Sequence, residues 1–444
     1  MALAFLKHIF AKKTVAVPNK PLPKIRLTIV AFEDDCVTNS GYILSQHLSQ
    51  NDLLEISYYN EPINKSFLDL QSRNFFDFID SGKNILKKTN ADILIWGYRK
   101  QNKIRLNFQT KNQYDEQVYL NFSILNSLYL PLEYFQDNKL NPTILNLILA
   151  TILTAMLRTE DIPALRQIVA KINNSTPPKD LSSSYMPYIL NLLALTYLHS
   201  IRTNLTFADV KITSSIFKNA LSCCKNETKS IFTGIIYANF AQLYHLASET
   251  HVKDKYTNCK FAIDFYTLAQ KYFNRHTYPY DFGYTAYKLS KLYFDYWKYT
   301  SDIQFLRNAV FQLREAQKVF TKIIFPKIWA DIQKDLGLYL SMMAVFSHSI
   351  EIAKIAIENY QNYQTVFSKE KYPSEWAVAQ ESIGNIFFEC GKIYQNEDYF
   401  EKAAAYYIDA ANIYKFLSQE TDIKRLERYI KKSDKYISNI NSGE

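Results

Sequence analysis

The fold is decided by the stretch PKIWADIQKDLG at residues 326–337, because the chain repeats its pattern. The pattern returns 47 residues later as PSEWAVAQESIG, at residues 373–384. A fixed period of this length is typical of an array of helical hairpins. One period upstream the same places hold Pro279, Phe282 and Ser290, and two further periods upstream the match becomes faint.

A second helical pattern follows each of these stretches with the same period. It alternates small and large residues at steps of four, three and four, as in Ala403, Tyr407, Ala410 and Tyr414, and such residues share one face of a helix. Alanine lets a neighbouring helix approach closely, and the ring fills the adjacent space. Each unit is therefore expected to be a hairpin that stacks on the next. The residues expected to pack the repeats are Trp329, Gly337, Trp376, Gly384, Ala262, Ala309, Ala356 and Ala403.

The order Trp or Phe, then Leu-Gly, then Ala-x-x-x-aromatic-x-x-Ala resembles the tetratricopeptide repeat (TPR). That repeat is normally about 34 residues long, so the helices or their turn are longer here. The long unit is similar to that of a group of bacterial TPR proteins, and the likeness covers residues 180–419. The resemblance implies a mainly α fold, a right-handed α-solenoid of helical hairpins, and a function in protein binding.

From Lys24 the periodicity changes and predicts a small α/β domain over residues 24–135. Strands are expected at 25–32, 53–59, 91–97 and 103–110, with helices at 39–50 and 67–87. The order β-α-β-α-β-β predicts a small sheet with helices packed on it. This domain also resembles the leading α/β domain of the same bacterial proteins. The other expected segments are a basic tail with a Pro-rich linker at 1–23, connecting helices at 136–179, TPR-like repeats at 180–419, and a capping helix and tail at 420–444.

Composition favours a helix-rich protein of two or three domains. The 444 residues are 48% hydrophobic and 15% aromatic, with only 9 glycines, as packed cores with few tight turns require. Lysine and glutamate alternate along the helices, so the net charge of +9 describes solvated faces, and no nucleic-acid partner is expected. Five scattered cysteines predict no disulfide framework and a reducing, cytoplasmic compartment.

No catalytic, cofactor-binding or metal site is expected. The glycines are not spaced for a dinucleotide or phosphate loop, and the seven histidines are spread singly, so the chain is expected not to be an enzyme. Asp34 and Asp35 follow the first strand, where receiver domains hold Mg²⁺ and open α/β sheets bind ligands. A receiver also needs an aspartate after the third strand, and Trp96-Gly97 stands there. The two acids are therefore expected to be turn or helix-cap residues, and a ligand- or nucleotide-responsive domain is kept as an alternative.

Residues 1–13 suggest a second alternative. Leu3, Leu6 and Phe10 could share one face of a helix with lysines beside it. The run is too short to cross a bilayer, but an interfacial helix of this kind makes weak contact with a membrane surface. A peripheral membrane scaffold anchored by residues 1–13 therefore stays open.

The first helices of TPR-like hairpins line a groove that binds a peptide or a helix of a partner. The expected function is therefore a non-enzymatic scaffold or adaptor for another protein. Asn191, Ala238 and Tyr287 stand where some relatives use lysines to grip a C-terminal carboxylate, so no such clamp is predicted. The groove candidates are Asn191, Gln242, Tyr287, Lys291, Lys334, Asn385 and Phe388.

Overall fold

The computed structural model describes residues 24–36, 38–63, 74–111, 127–138, 140–156, 158–174, 186–224, 231–250, 252 and 254–442. Within these ranges it has fifteen α-helices, preceded by one five-stranded sheet. The chain divides into two compact units, Met1–Thr285 and Ala286–Glu444.

The first unit begins with a mixed sheet in the order β2-β1-β3-β4-β5. β1 is parallel to both β2 and β3, whereas β3, β4 and β5 pair in antiparallel fashion. The register places Leu27 of β1 beside Ile56 and Ile93. The strands are β1 (Ile25–Val30), β2 (Leu54–Tyr59), β3 (Ile93–Lys100), β4 (Lys103–Thr110) and β5 (Ser127–Pro131).

Both faces of this sheet are buried. On one face Val30, Leu94 and Trp96 pack with Leu86 of α2 (Asn74–Thr89). On the other face Leu27, Ile29 and Phe108 are also buried, and α3 (Pro142–Met156) packs on β4. Every residue of β1 except Arg26 is buried, so the run LTIV that follows Arg26 reads as a nearly continuous buried strand.

One strand was not predicted from the sequence. Four strands were expected, but β5 adds a fifth, paired with β4 from Asn107 opposite Ser127 onward. The five residues of β5 alternate weakly, and their partners are about twenty residues away in the chain, so periodicity did not reveal them. The predicted helix at 67–87 is observed as α2, from residue 74 onward. Residues 1–23 and 64–73 lie outside the described part of the chain.

Helices follow as hairpins in the rest of the first unit. Each helix from α3 to α7 packs on the next one in the chain. α9 begins in this unit and continues into the second. The helices are α1 (Ser40–Leu48), which packs on β1 and β2, α4 (Ile162–Asn174), α5 (Met186–Ile201), α6 (Phe207–Cys223), α7 (Ile231–Glu249), α8 (Lys255–Gln270) and α9 (Pro279–Thr300).

The second unit is a run of hairpins. α10 packs on α11, and each later helix packs on its successor, while Tyr296 of α9 meets Phe305 of α10 with ring centroids 4.6 Å apart. The helices are α10 (Ile303–Gln317), α11 (Pro326–Ser347), α12 (Ile350–Gln364), α13 (Pro373–Tyr394), α14 (Glu397–Phe416) and α15 (Glu420–Ser442).

Every hairpin of the second unit closes with the same two-residue turn. The first residue has a positive φ, at Ser301 (56°), His348 (50°) and Gln395 (49°). The second residue is the N-cap of the next helix, and its side chain accepts a hydrogen bond from a backbone N–H of that helix. These N-caps are Asp302, Ser349 and Asn396. The turn therefore recurs every 47 residues, although no glycine marks it.

Two glycines set the closest approach inside these hairpins. A Cβ at Gly337 would lie 2.8 Å from the ring of Tyr360, and one at Gly384 would lie 2.8 Å from the ring of Tyr407. Tyr407 is fully buried, so its ring needs the space that glycine leaves. The four repeated alanines, Ala262, Ala309, Ala356 and Ala403, are also fully buried.

The two repeat tryptophans are only partly buried, and each carries a lysine over its ring. The ammonium of Lys322 lies 5.3 Å from the ring centroid of Trp329, and that of Lys369 lies 4.9 Å from the ring centroid of Trp376. Both lysines precede their tryptophans by seven residues. The cation and the ring therefore repeat with the same period as the helices.

Candidate functional site

The candidate site is a surface of the second unit built by α9, α11, α13 and α15. α15 begins 47 residues after α13, so it takes the place of another first helix, although the sequence analysis treated it as a cap. Lys291, Leu338, Asn385 and Lys432 occupy equivalent positions on the four helices. We call the surface formed around these positions the first-helix face.

At one end of the first-helix face, α9 and α11 share a polar cluster. The Tyr287 hydroxyl donates a hydrogen bond of 3.2 Å to Oδ2 of Asp335, and the Lys291 ammonium lies 3.9 Å from the same oxygen. Lys334 pairs with Asp331 at 3.3 Å. The structure therefore brings together three of the predicted groove residues, Tyr287, Lys291 and Lys334, around two aspartates.

Burial governs the protonation of this cluster. Desolvation raises the pKa of Asp335 and lowers the pKa of Lys291, while the attraction between the two opposes both shifts. Desolvation also holds the pKa of Tyr287 well above its ordinary value, so the hydroxyl remains a donor at neutral pH. The cluster joins two helices through a partly buried network, and Lys291 and Lys334 stay partly exposed at its surface.

The middle of the first-helix face is an apolar cavity between α11 and α13, with a volume of about 370 Å³. Cavities of this size hold small ligands or single side chains of a partner. Met342, Val345 and Tyr394 at its rim are each 38% exposed. The rest of its lining includes Leu338, Ile386 and Ile393, together with Ala353 and Tyr360 of α12, which are both buried.

Two predicted groove residues border this cavity. Asn385 is exposed, and its Oδ1 accepts a hydrogen bond of 2.8 Å from the Tyr407 hydroxyl. Phe388 is 6% exposed and packs edge-on against Tyr429 and Tyr436 of α15. Phe388 therefore forms the wall between α13 and α15 and does not offer its ring to a partner, in contrast to the expectation from sequence.

The other end of the first-helix face is a basic cleft between α13 and α15, with a volume of about 510 Å³. Three lysines, Lys392, Lys432 and Lys435, line it, and Glu389 is the one acid among its lining residues. The cleft is held in shape by Arg425 of α15, whose guanidinium makes two hydrogen bonds, of 2.9 and 2.8 Å, to the carboxylate of Glu381 on α13. The cleft and the apolar cavity share Phe388, Glu389 and Tyr429.

The two remaining groove candidates lie in the first unit. Asn191 is 5% exposed, and its Oδ1 accepts a hydrogen bond of 2.9 Å from Nδ2 of Asn239. Its side chain therefore joins α5 to α7 in the interior. Asn191 does not lie on a surface that a ligand could contact, in contrast to the expectation from sequence. Gln242 is partly exposed on α7.

The paired acids of the α/β domain, Asp34 and Asp35, lie in different environments. Asp34 is exposed and has a φ of 55°. Asp35 is 3% exposed, and its Oδ2 accepts a hydrogen bond from the backbone N–H of Ser40, the first residue of α1. Asp35 thus caps a helix. Trp96, at the position where a receiver needs its aspartate, belongs to the sheet core.

No group of three or more histidine, cysteine, aspartate or glutamate side chains is placed to hold a metal ion in the described ranges. All five cysteines are free thiols. None of the helices that the structure describes is both long enough and apolar enough to cross a membrane.

Five residues that give this surface its character were not predicted from the sequence: Met342, Val345, Lys392, Lys432 and Lys435. The 47-residue period carries a signal for two of them, Lys432 and Lys435. Extending the 47-residue period by one step from Asn385 reaches Lys432, and extending it from Phe388 reaches Lys435. Treating residues 420–444 only as a cap concealed that continuation.

Similarity to known proteins is found among solved structures. No protein-family model and no curated protein matches the sequence. Among solved structures, the chain is similar to BtubC (BKLC) from P. vanneervenii, with 13% sequence identity and a TM-score of 0.36. The similarity covers 63% of this chain and 93% of that chain.

Proposed function

We propose that this chain is a non-enzymatic, TPR-like scaffold that binds a partner protein along the first-helix face of its second unit. The observation that carries the proposal is the apolar cavity between α11 and α13. Its rim exposes Met342, Val345 and Tyr394. Apolar side chains gathered around a cavity and flanked by charged residues are typical of a surface that a partner covers.

The charges on both sides of the cavity support a protein as the ligand. A polar cluster with Lys291 and Lys334 lies toward α9, and three lysines lie toward α15. An apolar centre with a charged rim is the usual composition of a protein interface. The 47-residue repeat supports the TPR-like assignment through its motif order, and the five free thiols support a reducing, cytoplasmic setting.

A capture experiment with matched variants tests the proposal. Full-length tagged protein is used as bait in native lysate, and the recovered proteins are quantified by mass spectrometry. Met342→Glu/Val345→Glu places two charges at the cavity rim, where both side chains are already partly exposed. Ile355→Glu/Ile408→Glu is the control, because these residues are 41% and 46% exposed on the second helices α12 and α14.

We expect the wild type and the control variant to recover the same near-stoichiometric partner and the rim variant to lose it at least tenfold. Circular dichroism of the three proteins checks that all are equally folded. Retention of the partner by the rim variant, or loss by both variants, would contradict binding at this face.

The two alternatives gain no support from the described residues. Asp35 is engaged as a helix cap, and among the described residues Asp34 belongs to no group of three or more side chains that could hold a metal ion. Residues 1–13, the expected membrane contact, lie outside the described part of the chain.

A further inference from the structure

Resting on the proposed function, we infer that the partner segment is an acidic peptide with a bulky apolar residue, and that α15 supplies its charge recognition. The apolar residue enters the cavity between α11 and α13. The acidic residues that flank it lie in the basic cleft between α13 and α15. The inference rests on the shape of the two cavities and on the charges that line them.

The two cavities adjoin on the first-helix face. They share Phe388, Glu389 and Tyr429 as lining residues, so one extended ligand can place neighbouring residues in both. The volumes of about 370 and 510 Å³ suit one large apolar side chain and a few further residues of a peptide.

The charge of the cleft selects an acidic ligand. The lining contains Lys392, Lys432 and Lys435, and Glu389 is its one acid. Glu389 pairs with Lys392 at 2.7 Å, which leaves the positive charge of the cleft with Lys432 and Lys435 on α15. These two lysines are three residues apart on one helix, so they lie on the same side of it and can contact carboxylates of one segment.

Lys432 occupies a position that recurs with the 47-residue period. It stands one period after Asn385 and two periods after Leu338, so from α11 to α15 the same place changes from apolar to polar to basic. On α9 the same place holds Lys291, whose ammonium lies 3.9 Å from a carboxylate oxygen of Asp335. Among the described residues that line the cleft, Lys432 has no ion pair of this kind, so the acidic residues of the peptide are placed at α15.

Peptide libraries of fixed composition test the inference on the full-length protein. The first pool of 12-residue peptides has one Phe, Trp or Leu and four Asp or Glu. The second pool replaces the acids with lysine, and the third replaces the apolar residue with serine. Peptides retained by the immobilised protein are identified by mass spectrometry, and the best is measured by fluorescence anisotropy. A 12-nucleotide single-stranded DNA and phosphatidylglycerol vesicles are the competing probes.

We expect the first pool to be enriched at least fivefold over the other two. Lys432→Glu/Lys435→Glu should weaken the best peptide at least tenfold and reduce the dependence of its Kd on salt. The matched control is Lys354→Glu/Lys415→Glu, which makes the same charge change at exposed positions of α12 and α14 and should change the Kd less than twofold.

Several outcomes would overturn the inference. Enrichment of the lysine pool, equal effects of the two charge variants, or displacement of the peptide by DNA or vesicles at equal charge would each exclude an acidic peptide in this cleft. If the rim variant Met342→Glu/Val345→Glu abolishes partner capture while Lys432→Glu/Lys435→Glu does not, the proposed function stands and this inference fails. If neither variant affects capture, the first-helix face itself is excluded.

Discussion

The contacts that repeat between the helices of the second unit differ in kind from the buried polar contacts of the first unit, although the second unit has a partly buried polar contact too, between Tyr287 and Asp335. In the second unit the same close-packed contact between a glycine and a tyrosine ring recurs, with Gly337 against Tyr360 and Gly384 against Tyr407. In the first unit buried polar groups join the helices. Asn239 donates to Asn191, and the Tyr197 hydroxyl donates a hydrogen bond of 2.7 Å to Asp209.

This difference determines which kind of change destabilises each unit. A substitution that adds volume at a close-packed contact destabilises the fold, because a packed interior has no spare space. A buried titratable group destabilises the fold at a pH that favours its charged form, because burial disfavours that form. The repeated contacts of the second unit should therefore be sensitive to added side-chain volume, and the buried titratable groups of the first unit should make its stability sensitive to acid.

The largest effect is expected from Gly384→Val, which would place a branched side chain where a Cβ alone lies 2.8 Å from the ring of Tyr407. We expect the free energy of unfolding to fall by about 3 kcal/mol in urea titrations followed by circular dichroism. Ala405→Val, at an exposed position of α14, should cost less than about 1 kcal/mol. Adding Tyr407→Ala to Gly384→Val should cost less than the sum of the two single changes; strict additivity would contradict the contact.

The first unit should lose stability in mild acid through His199. Burial, with a smaller effect of Arg202, lowers the pKa of this histidine to about 3, from 6.5. The unfolded chain therefore takes up a proton as pH falls below about 6.5, whereas the folded chain does not, so unfolding is favoured. At pH 5 the loss relative to neutral pH should be about 2 kcal/mol.

Unfolding at pH 7.5 and pH 5 measures this slope. His199→Gln should remove the acid-dependent loss, and His276→Gln, at an exposed position of the same unit, should keep it. An unchanged pH dependence in His199→Gln would show that another group is responsible.

The hairpin turns of the second unit predict two opposite effects at neighbouring residues. Gln395 has a φ of 49°, which glycine adopts without steric cost, so Gln395→Gly should raise stability by up to about 1 kcal/mol. Asn396 caps α14 by accepting a hydrogen bond of 2.9 Å from the Asp398 backbone N–H. Asn396→Ala should therefore lower stability by about 1 kcal/mol. Shifts of the same sign in the two thermal unfolding curves would contradict this description of the turn.

The smallest effect is expected at the repeated lysine–tryptophan pair. Removal of the ammonium over Trp376 by Lys369→Met should cost about 0.5 kcal/mol, because the pair is exposed to solvent. Lys354→Met, on an exposed face of α12, is the control. Equal changes in the two variants would mean that the repeated pair contributes nothing measurable to stability.

The sequence could predict the second unit well because its contacts are repeated. The period placed α11 and α13 from their prolines at residues 326 and 373, where both helices begin. The turns could not be predicted in the same way, since Ser301, His348 and Gln395 do not reveal a positive φ by their residue type. Their N-caps, Asp302, Ser349 and Asn396, did carry the period.

The sequence was less informative where contacts join distant parts of the chain. β5 depends on pairing with β4, and Asn191 depends on a buried partner from another helix; neither contact follows from periodicity. The groove positions were predicted on α5, α7, α9, α11 and α13, and α15 was left out. Phe388 was therefore placed on a free surface, although the rings of α15 cover it.

Hydrogen–deuterium exchange of the full-length protein, with and without its captured partner, tests the central claim most directly. Binding along the first-helix face predicts slower exchange in α11, α13 and α15, with the strongest protection around residues 338–345 and 385–394. The second helices α12 and α14 should change little. Protection confined to α12 and α14, or to residues 24–111, would contradict the account, since the partner would then contact a surface other than the one described.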